Sequence, residues 1–158
     1  MTHPDPRQRD AQGCRKGKRL SDCGFDEVER RALTLMRHLF VGVAQNRPPG
    51  GPEAVMLART LLGPANGDQA MAALLAFVQT MALSRGEPFR YANPFCPGCA
   101  ARITADEERL VRVLHHVRRG QEGRAMIHAL MLCEAGPIGP LIEAAHEVHR
   151  AAEPAPFA

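Results

Sequence analysis

Apolar residues along the chain recur at helical spacing, and clusters of Gly, Pro and Asn cut that pattern into six runs. The first run begins at Asp26 with Glu29 three residues on, the spacing of a capping box. Val28, Ala32, Leu35, Met36, Leu39, Phe40 and Val43 form its apolar face, and Asn46-Arg47-Pro48-Pro49-Gly50-Gly51 ends it. Pro52 opens a second helix in a favoured first-turn position, with Val55, Leu57, Ala58, Leu61 and Leu62 ahead of Gly63-Pro64. Asn66 and Gln69 cap a third, packed through Met71, Leu74, Leu75, Val78 and Ala82 and ending near Ser84.

The helical period lapses between Glu87 and Ile103, where Phe89-Arg90-Tyr91 reads as a short strand with no partner in sight. It resumes at Thr104 and Glu107, a second capping box, with Leu110, Val113, Leu114 and Val117 inward until Arg118-Arg119-Gly120. A fifth helix over about 124–135 presents Met126, Ala129, Leu130 and Cys133 on one face. Pro140 opens a sixth, carrying Leu141, Ile142, Ala145 and Val148, until Glu153-Pro154. About six helices with short connections predict an all-α domain, orthogonal or bundle-like, with an irregular loop before the fourth helix.

Composition refines this picture in one respect, the placement of charge. Residues 1–20 hold six of the 20 basic side chains against two of the 17 acidic ones, so the basic balance resides in the tail. The expected organisation is a disordered basic tail over 1–25, one helical domain over 26–153 and a short tail over 154–158. The 158 residues, 45% apolar, suffice for a single core without help. With no Trp and one Tyr, base stacking on nucleic acid is poorly supplied. No 18-residue apolar run spans a bilayer, and no apolar stretch follows the basic start as in a secretory signal. Five cysteines argue against a disulfide framework. The expected location is therefore cytoplasmic.

The distinctive chemistry is Cys96-Pro97-Gly98-Cys99. Two thiolates two residues apart can hold one zinc ion at about 2.3 Å each. A structural site needs four ligands. Cys133 is the expected third, because the fourth and fifth helices should form a hairpin about Gly120–Gly123 that returns Cys133 beside the start of the fourth. His146 on the sixth helix is the expected fourth, with His149 one turn on. His116, beside His115, is the alternative, although helical rise puts that pair about 18 Å beyond the cap at Thr104. Cys14 and Cys23, in the tail, are weaker candidates, and an iron–sulfur cluster would need one of them. The sequence thus predicts structural zinc on Cys96, Cys99, Cys133 and His146, pinning the 87–103 segment to the last helices.

Two other readings stand beside it. Cys96 and Cys99 can act as a thiol-redox pair, but such pairs sit at the first turn of a helix, and the visible cap at Thr104 lies five residues past Cys99. The stretch Arg109–Arg124 is a basic patch in the helical part, and Arg112, Arg118, Arg119 and Arg124 could meet phosphates with the tail's help. The helix after it lacks the polar side chains that read base edges. No nucleophile–base or paired-carboxylate arrangement stands out: Asp106-Glu107-Glu108 is a first-turn acidic cluster that the helix dipole explains. The reading that results is a zinc-stabilised regulatory or adaptor protein that works by binding a protein partner rather than by catalysis, with nucleic-acid association or thiol redox as alternatives.

Overall fold

The computed structural model describes residues 17–134 and 136–153. Among them seven α-helices form one bundle. Six are the expected ones: α1 (Glu27–Ala44), α2 (Pro52–Leu62), α3 (Gly67–Leu83), α5 (Ala105–Arg118), α6 (Glu122–Leu132) and α7 (Gly139–Ala152). The seventh, α4 (Pro97–Ala100), is a single turn inside the segment read as irregular.

The two capping boxes form as their spacing predicts. The Asp26 carboxylate accepts from Glu29 N at 3.0 Å and the Glu29 carboxylate accepts from Asp26 N at 3.0 Å. Thr104 and Glu107 do the same at 3.0 and 2.9 Å. Asn66 precedes α3 without a side-chain cap bond, so that expectation gives way. The α2–α3 corner is set instead by Gly67, where a Cβ would lie 2.7 Å from the backbone of Arg59.

α1 runs through the bundle against α2, α3 and α5; α3 and α5 each pack on α7, and α5 and α6 make the expected hairpin. Leu33, Leu35, Met36, Leu74, Phe77, Met81, Leu110, Leu114, Leu132 and Leu141 fill the centre. α6 is turned from its expected orientation. Ala125, Ala129 and Leu132 face inward, while Met126, Ile127, Leu130 and Met131 are exposed. Two small residues let α6 lie close to its neighbours, and the larger side chains are left outside.

A two-residue antiparallel ladder joins β1 (Lys18–Arg19) to β2 (Arg102–Ile103), with Lys18 opposite Ile103. Leu20 N extends it to Ala101 O at 2.9 Å. Cys23 and Phe25 are buried, and the Arg112 guanidinium lies 4.7 Å over the Phe25 ring while donating to Cys23 O. Residues 17–25 are thereby fastened to α5. The Phe89–Tyr91 stretch is not a strand; Phe89 and Tyr91 stack on Phe40 of α1, with ring centroids 4.7 and 5.2 Å away. Among the described residues no helix is long and apolar enough to cross a membrane.

Candidate functional site

The Cys-Pro-Gly-Cys segment closes on itself as α4. Pro97 takes the first helical position, where its missing N–H costs nothing. Cys96 is the N-cap, and its sulfur accepts the Cys99 backbone N–H at 3.4 Å. Ala100 N bonds to Cys96 O at 2.8 Å. The two cysteines therefore share one helical turn, the local arrangement that thiol-redox pairs use. Both are partly exposed, and Cys99 is disulfide-bonded.

The turn is held from behind by a buried ion pair. Arg37 of α1 meets Glu107 of α5 as two planes, Nε to Oε1 at 2.7 Å and Nη2 to Oε2 at 2.9 Å, with side chains 3% and 0% exposed. The same guanidinium donates to Ala100 O at 3.0 Å and Arg102 O at 2.6 Å, either side of the end of α4. Glu107 also accepts Ala92 N at 2.9 Å, upstream of the cysteines. Asp106 accepts Arg90 N at 3.0 Å, and the Thr104 hydroxyl donates to Arg90 O at 2.7 Å. The segment expected to need a metal staple is stapled by Arg37, Glu107, Asp106 and Thr104.

The zinc expectation is corrected accordingly. Among the described residues no group of three or more His, Cys, Asp or Glu side chains is placed to hold a metal ion. Cys133 is buried at the end of α6, where the Ser84 hydroxyl donates to its sulfur at 3.1 Å. His146 pairs with Glu122 at 3.1 Å. His116 bonds Gln121 at 2.8 Å and stacks on His128, with centroids 5.3 Å apart. His149 lies 3.6 Å from Glu153. The hairpin does return the end of α6 to the start of α5. What meets it there is the turn that follows α3: Arg85 donates to Leu132 O at 2.8 Å and reaches Asp106 at 3.4 Å. The chain then runs on over α1 before reaching Cys96. Cys14, the other cysteine weighed as a ligand, lies outside the described residues. With the metal goes the reading of a zinc-stabilised regulatory or adaptor protein.

The basic patch is matched by acids. Arg118 meets Asp26 at 2.7 Å, Glu29 at 2.9 Å and Glu153 at 3.1 Å. Arg119 also reaches Glu29, and His115 lies 3.1 Å from it. Burial opposes the charge on Glu29, but Arg119, His115 and the Asp26 N–H outweigh it and hold the carboxyl below its ordinary range. Arg112 is 3.4 Å from Glu108 and covers Phe25. Arg124 alone of the four candidates stands exposed at the start of α6 without an ion pair among the described residues. The charges read as a phosphate-facing surface serve mostly to tie the start of α1 to the end of α5.

Beside α4 lies a cleft of about 1120 Å³, lined among others by Cys99, Lys18, Arg85, Arg90, Tyr91, Asn93, Arg102, Asp106 and Glu108. The sequence places the cysteines outside any helix because the visible cap, Thr104, lies five residues past Cys99. The signal that could have corrected this was Pro97, whose place directly after Cys96 marks the first helical position. Comparison of this chain with protein-family models, with curated proteins and with solved structures finds no match.

Proposed function

We propose that the protein carries out thiol–disulfide exchange through Cys96 and Cys99. The observation that supports this reading is the placement of both cysteines on one capped turn, with the Cys96 sulfur receiving the Cys99 N–H.

The reaction starts from the dithiol form, which a dithiol reductant produces by opening the Cys99 disulfide. The Cys96 thiolate attacks one sulfur of a substrate disulfide. That S–S bond breaks, a Cys96–substrate disulfide forms, and one substrate thiolate leaves and takes a proton from solvent. The Cys99 thiolate then attacks the Cys96 sulfur, forming the Cys96–Cys99 disulfide and releasing the second substrate thiolate. Two electrons pass from the protein to the substrate, and the reductant restores the dithiol. Arg37 and Glu107 hold the turn in place while the sulfurs change partners, as positioning residues that touch neither sulfur.

The test is turnover of hydroxyethyl disulfide with dithiothreitol as reductant, above the reagent background. Cys96→Ser is expected to return the rate to background, and Cys99→Ser to accumulate the Cys96 mixed disulfide when the substrate is supplied without reductant. Wild-type protein no faster than the Cys96→Ser variant overturns the reading.

A further inference from the structure

We infer that the cleft beside Cys99 takes a small disulfide bearing carboxylates, an inference that rests on the exchange reading above and names its substrate class. The cleft is of the size that holds small molecules, about 1120 Å³, and Cys99 is part of its wall. A ligand seated there lies against Cys99, on the same turn whose N-cap is the attacking Cys96.

The charges around the cleft decide what that ligand carries. Lys18 is matched to Glu108 at 2.8 Å, and Arg85, with a side chain only 5% exposed, is matched to Asp106 at 3.4 Å. Arg85 is fixed further by Leu132 O, Glu134 and the Phe89 ring, so it acts as wall. Among the described residues, the lining groups outside these ion pairs are Arg90, Arg102 and Glu87, two cations against one anion.

Both cations sit on hydrogen-bonded backbone. Arg90 is gripped at N by Asp106 and at O by Thr104, and its side chain is exposed. Arg102 belongs to β2, has its carbonyl held by Arg37, and spends one guanidinium donor on Gly17 O at 2.8 Å, which leaves its other donors for a ligand. Planar guanidinium groups on fixed backbone are suited to carboxylates. Cation-lined concave walls also raise the local concentration of an anionic substrate, an effect that salt weakens.

The experiment compares kcat/KM for three disulfides with the same reductant at low and moderate salt: glutathione disulfide, which carries carboxylates and net negative charge; cystamine, which is cationic; and hydroxyethyl disulfide, which is neutral. Wild-type protein is expected to favour glutathione disulfide over cystamine by about tenfold at low salt, with the ratio shrinking as salt is added. The double variant Arg90→Glu/Arg102→Glu is expected to lose or invert that ratio, and Arg90→Lys/Arg102→Lys to retain the anionic preference in part. Thermal melting and circular dichroism confirm that each variant is folded. Turnover of all three disulfides at equal efficiency by the wild type overturns this inference and leaves the exchange reading standing. A preference that survives charge reversal also overturns it. Turnover of none of them overturns the exchange reading and this inference together.

Discussion

Arg37 and Glu107 show how one side chain can do several jobs at once. Glu107 caps α5, holds Ala92 and pairs with Arg37, while Arg37 holds Ala100 and Arg102. Both are buried, so neither charge can turn to water when its partner is removed. Glu107→Gln leaves an uncompensated guanidinium and is expected to cost about 3–5 kcal/mol in urea unfolding. The paired change Arg37→Met/Glu107→Met is expected to recover part of that loss, because no lone buried charge remains. Half of this arrangement was legible in the sequence. The Thr104–Glu107 spacing announced the cap, but a partner 70 residues away leaves no local trace, and Arg37 reads as an ordinary member of a helix's polar face.

At the scale of elements, periodicity and breakers located the six long helices because each carries an apolar stripe between strong turn signals. The same periodicity could not say which way α6 turns. Its run Ala125 to Leu132 is apolar nearly throughout, so every face looks inward, and only the close approach of α5 and α7 picks out Ala125, Ala129 and Leu132. α4 escaped notice because one turn has no period at all. Nor did Lys18–Arg19 and Arg102–Ile103 announce a ladder, since a two-residue strand carries no alternation to read. Gly67 is another feature that the sequence shows only as a weak helix residue. Its missing side chain lets α2 meet α3 with the Arg59 backbone 2.7 Å from where a Cβ would stand. Gly67→Ala is therefore expected to destabilise the fold by about 1–3 kcal/mol, although alanine is the better helix former. A melting temperature unchanged or raised in that variant would show that the corner opens without cost.

Across the whole molecule, the charges that join α1 to α5 and the histidines between helices give stability one direction with pH. Burial opposes ionisation of Asp26 and Glu29, but the capping N–H groups and Arg118, Arg119 and His115 prevail, so both carboxyls lie below their ordinary range. Their contribution is present above the unfolded values and lost as pH falls through the folded ones. His38 and His128 are shifted down from 6.5, by burial in both cases and for His128 by His116 as well. For them the unfolded chain takes up the proton first, so stability declines as pH drops below about 6.5. The melting temperature is expected to fall in two stages on acidification, first below about 6.5 and again in the carboxylate range, and His128→Gln is expected to shrink the first stage. The arrangement of cysteines is tested most directly by trapping. Cys99→Ser protein, reduced, freed of reductant and then exposed to glutathione disulfide, should accumulate a mixed disulfide that peptide mass mapping places on Cys96, while Cys23 and Cys133, each 4% exposed, stay unmodified. An adduct confined to cysteines other than Cys96, Cys14 included, or none at all, would contradict the account.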